Sequence, residues 1–68
     1  MAEKRLLQVS LGEEHYQDLD ALSCELGVTK SEVVRHSLEV YTLLRESKAN
    51  GAEVLIKKGD DVQRLARI

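Results

Sequence analysis

The sequence has no proline, phenylalanine or tryptophan, and its only aromatic side chains are those of Tyr16 and Tyr41. A chain of 68 residues with so few bulky side chains has little to bury by itself. A domain of about 60 residues hides only ~60% of the surface that its unfolded chain exposes. The single cysteine, Cys24, excludes an internal disulfide and a cysteine-cluster zinc site. We therefore expect a homo-oligomer in which a second copy supplies the missing core.

Long apolar runs and enzyme motifs are absent as well. No stretch of about 18 apolar residues occurs, and no basic segment leads into an apolar one, so we expect neither a membrane span nor a secretory signal and place the protein in the cytoplasm. The sequence has no glycine-rich phosphate loop and no pattern of nucleophile, base and orienting acid. His15 and His36 have no partner at metal-ligand spacing. We expect a protein that is not an enzyme and that has no cofactor and no metal site.

A surplus of basic residues is also missing. The net charge is −2, whereas nucleic-acid-binding domains are usually basic. The acids are concentrated, however: residues 1–28 hold six acids and two bases, and residues 29–52 hold three acids and four bases. If the acidic element faces away from a ligand, the opposite surface can still be basic. The net charge therefore does not decide between functions.

Apolar and polar side chains alternate over residues 4–11, and this pattern predicts one β-strand. One face carries Leu7, Val9 and Leu11. The other face carries Lys4, Leu6, Gln8 and Ser10. A strand without a neighbour leaves a row of unpaired hydrogen-bonding groups. The C-terminal segment is one possible source of a neighbour, and the simplest is the same strand of a second copy, paired antiparallel about a two-fold axis.

Two helices follow the predicted strand. Residues 13–26 place Tyr16, Leu19, Leu22 and Leu26 at spacings of three and four, which predicts an amphipathic helix. Gly27 is placed to end that helix. Thr29 and Glu32 have the spacing of a capping box, and helical periodicity then continues to Asn50 and Gly51. A second, longer helix is therefore expected.

The remaining residues contain two short apolar sets. Val54 to Ile56 form the first set, residues 58–61 predict a turn, and Val62, Leu65 and Ile68 form the second set. We expect a hairpin packed beside the end of the second helix, with Val54, Ile56 and Leu65 in contact. The spacing of Val62, Leu65 and Ala66 also suits a turn of helix, so that alternative stays open.

The whole pattern resembles the ribbon-helix-helix family, the Arc and methionine repressor type of prokaryotic regulators, over residues 4–45. Its most specific portion is Gly27-Val28-Thr29-Lys30-Ser31-Glu32 followed by Val33-Val34-Arg35. The resemblance implies a mostly α chain with a short strand, forming an intertwined homodimer with an intermolecular two-stranded antiparallel sheet. Residues 1–50 would form the dimerisation and DNA-binding domain, and residues 51–68 a C-terminal extension with the hairpin. Gly12 and Leu6 depart from the family pattern, which commonly has proline or serine at the first position and a basic or polar residue at the second.

Site residues carried over from the resemblance fall into three sets. The residues implied to contact bases in the major groove are Leu6, Gln8 and Ser10. The residues implied to contact phosphates are Lys4, Arg5, Thr29, Lys30 and Ser31. The residues implied to form the dimer core are Leu7, Val9, Leu11, Val34, Leu38 and Tyr41.

The chemistry of these side chains agrees with the implied roles. Glutamine forms paired hydrogen bonds with adenine, serine bonds to several bases, and leucine contacts a thymine methyl group. The start of a helix favours an anion. The expected function is a homodimeric, sequence-specific transcriptional regulator, and in this family most often a repressor, whose partners are double-stranded DNA and a second copy, with further dimers possible on the DNA. The alternative is an antitoxin or interaction module whose residues 52–68 bind a protein partner.

Overall fold

The computed structural model describes residues 3–68, so the first two residues of the predicted domain 1–50 lie outside the described residues. The elements in chain order are α1 (Glu13–Leu26), α2 (Lys30–Ala49), β1 (Leu55–Lys58) and β2 (Asp61–Arg64). The two strands form an antiparallel hairpin. The predictions of two helices and a C-terminal hairpin are therefore confirmed. No helix within residues 3–68 has both the length and the apolar character needed to cross a membrane.

The strand predicted for residues 4–11 is not formed in the single chain. Residues 3–12 have no regular secondary structure, so the observed order is helix, helix, strand, strand. The physical reason is that a strand is defined by pairing with a neighbour. The strands of the hairpin pair with each other, and no strand of the described chain pairs with residues 4–11. The intermolecular sheet requires a second copy and stays a prediction.

A three-residue corner joins the two helices. Gly27 has a φ of 67°, in the left-handed region that favours glycine, and its N–H donates to the carbonyl of Ser23. The N–H of Val28 donates to the same carbonyl at 3.1 Å, and the Ser23 hydroxyl donates back to the Val28 carbonyl. Thr29 then caps α2 through its Oγ1, which accepts from the Glu32 N–H at 3.1 Å. These bonds fix the corner that places α2 against α1.

The C-terminal hairpin turns at Gly59 and Asp60, between the paired residues Lys58 and Asp61. Gly59 has a φ of 61°, which a two-residue hairpin turn requires. At the base of the hairpin the Leu65 N–H donates to the Val54 carbonyl at 2.8 Å.

The hairpin is fastened to α2 at its base. Arg45 Nη1 donates to the Ile68 carbonyl at 2.9 Å, and Lys48 Nζ lies 3.4 Å from the Ala66 carbonyl. Val54 and Leu65 are half-buried there, but Ile56 is 54% exposed. The Leu65 N–H bonds to the Val54 carbonyl at this base, and the expected contact of Ile56 with these two residues stays a prediction.

The single chain has almost no core. Among the described residues only Val33 is buried, with 5% of its surface exposed. The accessible surface is 6622 Å², whereas a compact monomer of this mass exposes about 4,300 Å². The radius of gyration is 14.9 Å, against roughly 11 Å for a compact domain of this length. The described chain is an open structure with much of its apolar surface uncovered.

Candidate nucleic-acid interface

An open groove of about 750 Å³ lies between the N-terminal segment and the first half of α2. The three alternating apolar residues of the segment, Leu7, Val9 and Leu11, all line this groove. From α2 the apolar lining residues are Val34 and Leu38. Lys4, Arg5 and Leu6 line the groove as well, so its lining is not restricted to one alternating face of the segment.

The other face of the segment is divided: Lys4 and Leu6 line the groove, whereas Gln8 and Ser10 do not. Gln8 and Ser10 are exposed and do not line it. Leu6 is 93% exposed, although it borders the groove at the end of the segment. The three residues expected to contact bases are thus all available on the surface, with Gln8 and Ser10 on the face opposite Leu7 and Val9.

The α2 helix carries two apolar stripes with different environments. One stripe contains Val33, which is buried, and Leu44, which is half-buried. The neighbouring stripe contains the dimer-core candidates Val34, Leu38 and Tyr41, which are 41%, 57% and 52% exposed. These three residues recur at helical spacing on one side of the helix. The N-terminal segment lies across the groove from Val34 and Leu38, and all three side chains of this stripe remain at least 41% exposed.

The start of α2 forms only half of the predicted capping box. Thr29 accepts from the Glu32 N–H as expected. In a complete box the Glu32 carboxylate would accept from the Thr29 N–H. Here it forms an ion pair with Arg35 instead. Because Arg35 is three residues further along α2, the two charged side chains lie close together on its surface.

Lys30, the first residue of α2, forms an ion pair across the corner. Its Nζ lies 3.2 Å from Oδ1 of Asp20 on α1 and 5.8 Å from the centre of the Tyr16 ring. The hydrogen bond to Asp20 is the main cause that raises the pKa of Lys30 above its ordinary value, and Tyr16 adds to the effect. Lys30 is therefore charged at neutral pH, but its charge has an acidic partner within the same chain.

The remaining phosphate-contact candidates are free of such partners. Lys4 and Arg5 form no ion pair among residues 3–68, and both are exposed at the border of the groove. Ser31 is exposed at the start of α2 and borders the same groove. Lys4, Arg5, Lys30 and Ser31 thus lie around one opening, together with Arg35.

Sequence reasoning missed both charge pairs at this opening. Glu32 and Arg35 are three apart in a helix, so their spacing was a usable signal. Asp20 and Lys30 lie on different helices, and only the corner at residues 27–29 brings them together. Within residues 3–68 no cluster of three or more potential metal ligands occurs.

Comparison of the chain with family models, with curated proteins and with solved structures gives no match. The resemblance stated from the residues alone therefore stays an expectation. The geometry described above carries the functional proposal.

Proposed function

We propose that the protein is a homodimeric, cytoplasmic DNA-binding regulator of the ribbon-helix-helix type, acting as a repressor. The observation that carries the proposal is the unpaired segment of residues 4–11. All of its residues are exposed, its apolar residues Leu7, Val9 and Leu11 line the groove against α2, and Gln8 and Ser10 do not line that groove. Pairing with the same segment of a second copy supplies the missing strand.

The uncovered surface supports a second copy as the occupant of the groove. The chain exposes roughly 2,300 Å² more than a compact monomer of its mass. If each copy covered this excess on the other, the total would lie in the range of about 2,000–5,000 Å² that obligate dimers bury. The stripe of Val34, Leu38 and Tyr41 and the apolar face of residues 7–11 are the surfaces that such a dimer needs.

Charge and shape support DNA as the ligand of the paired segments. A two-stranded ribbon fits the major groove of B-DNA. Gln8 has the amide that pairs with adenine, and Ser10 has a hydroxyl that bonds to several bases. Lys4, Arg5 and Lys30 lie beside the ribbon, where phosphates flank the groove. The exposed N–H groups at the start of α2, with Thr29 and Ser31, add donors for a phosphate.

The test is binding of the full chain to DNA upstream of its own gene. We expect a mobility shift at about 50 mM salt that weakens steeply as salt rises, because each phosphate contact contributes a slope of about −0.9 in log K against log salt. An unrelated duplex of the same length is the control for sequence preference. If neither duplex showed salt-sensitive binding, the proposal that the protein binds DNA would be wrong.

One observation favours a second candidate, an antitoxin or interaction module that binds a protein through residues 52–68. Leu55, Ile56 and Val62 of the hairpin are each more than half exposed, at 53%, 54% and 51%. Side chains of this kind on an isolated hairpin are available to a protein partner. In the antitoxin form of this candidate, the segment is disordered until the partner binds.

Amide hydrogen exchange in the free protein separates the ordered hairpin from a disordered tail. Because the Leu65 N–H bonds to the Val54 carbonyl, alternation along an antiparallel pair places Ile56 and Gln63 in the next hydrogen-bonded pair. We expect slow exchange at Ile56, Gln63 and Leu65 and faster exchange at Leu55 and Val62. Uniformly fast exchange over residues 53–68 would favour the antitoxin candidate.

A further inference from the structure

The basic side chains around the proposed DNA surface differ in whether they have an acidic partner within the chain. Lys4 and Arg5 have no acidic partner among the described residues. The Lys30 ammonium, by contrast, is 3.2 Å from the Asp20 carboxylate, and the two side chains are 43% and 57% exposed. The pair is thus reached by water, and another anion can approach Lys30 from solution.

A phosphate that approaches Lys30 meets Asp20 as well. The two anions compete for the same ammonium, and a phosphate placed next to the carboxylate is repelled by it. Asp20 raises the pKa of Lys30, so the lysine keeps its proton and the competition is between two anions for one charge. Both partners of the pair are exposed to water, so exchanging one anion for another beside Lys30 changes its binding only modestly.

We propose that Asp20 is a positioning residue that competes with the DNA backbone for Lys30. DNA binding then displaces this carboxylate, and the DNA affinity of the protein is lower than it would be if Lys30 had no acidic partner. This inference rests on the proposed function. The contact that carries it is the ion pair by which Asp20, on a helix without lysine or arginine, reaches Lys30 at the start of α2. The remaining acids of α1 have no such contact with a cation of α2 among the described residues.

The test compares Asp20→Asn with Asp18→Asn by fluorescence anisotropy on one labelled duplex at about 100 mM salt. Asp18 is an exposed acid two residues away on α1 and forms no ion pair among residues 3–68, so its substitution removes the same charge without freeing Lys30. We expect Asp20→Asn to tighten binding about two- to fivefold, the factor that corresponds to an exposed ion pair. Asp18→Asn should tighten binding less.

A double-mutant cycle with Lys30→Ala shows whether Asp20 acts through Lys30. In the Lys30→Ala background, Asp20→Asn should change DNA affinity no more than Asp18→Asn does. Thermal melting is the second readout. Loss of a purely structural pair would lower the melting temperature and DNA affinity together, whereas the proposal expects affinity to rise while the melting temperature stays the same or falls slightly.

The outcomes separate this inference from the proposed function. Wild-type binding with an unchanged or weaker Asp20→Asn variant overturns the inference and leaves the DNA-binding function standing. The inference is also overturned if Asp20→Asn raises DNA affinity only as much as Asp18→Asn does. It is overturned as well if Asp20→Asn still raises DNA affinity beyond Asp18→Asn in the Lys30→Ala background. Binding by Asp20→Asn where the wild type fails supports it. Failure of both proteins to bind any duplex overturns the inference and the function together.

Discussion

Val9→Asp is expected to abolish the folded protein. Val9 lines the groove against α2 and is 64% exposed in the single chain, so in the proposed dimer it lies where two copies meet. Two carboxylates enclosed at one interface cost several kcal/mol each unless they are paired. That cost approaches the whole stability of a small domain, which is about 5–15 kcal/mol. Circular dichroism would show an unfolded chain, and sedimentation would show loss of the dimer.

The matched control is Gln8→Asp. It adds the same charge one residue away, on the face that does not line the groove. This variant should keep the wild-type melting curve and the dimer mass while losing DNA binding.

For the wild type, the melting temperature should rise with protein concentration, since unfolding then includes dissociation. A Val9→Asp chain that stays helical as a monomer would contradict the dimer.

Gln8→Ala has the largest expected effect on recognition. Loss of a paired hydrogen bond to a base should cost about 1–3 kcal/mol on the preferred duplex and reduce the difference between preferred and random duplexes. Selection from a random pool of duplexes defines the preferred sequence before the variant is measured. Stability should not change, because Gln8 is exposed and lies outside the groove.

Lys30→Ala is the comparison that distinguishes base contacts from phosphate contacts. It should weaken binding to all duplexes about equally and reduce the salt slope by about 0.9. If Gln8→Ala instead weakened every duplex equally, Gln8 would not be reading bases. If Gln8→Ala left the affinity for every duplex unchanged, the ribbon would not enter the major groove.

Local patterns in the sequence were sufficient for the elements held by local bonds. Gly27 and Thr29 mark the corner, and the structure ends α1 at Leu26 and begins α2 at Lys30. The hairpin turn was also readable, since Gly59 and Asp60 lie between two apolar sets. In these cases the atoms that decide the structure are within a few residues of one another.

The features that the sequence did not predict depend on distant partners. Residues 4–11 alternate correctly, but no strand exists without a neighbour, and the single chain lacks one. The pair of Asp20 and Lys30 depends on how two helices meet, which no spacing rule encodes.

The scarcity of buried side chains has a consequence for regulation. A chain in which only Val33 is buried among the described residues has little to hold it together until it meets its partner. In the proposed dimer, folding is coupled to association, so the fraction of folded protein would depend on the concentration of chains in the cell. Newly made chains at low copy number remain exposed to proteases, which degrade open chains. A regulator of the proposed dimeric kind would respond to its own expression level, because dilution shifts the equilibrium toward the open single chain.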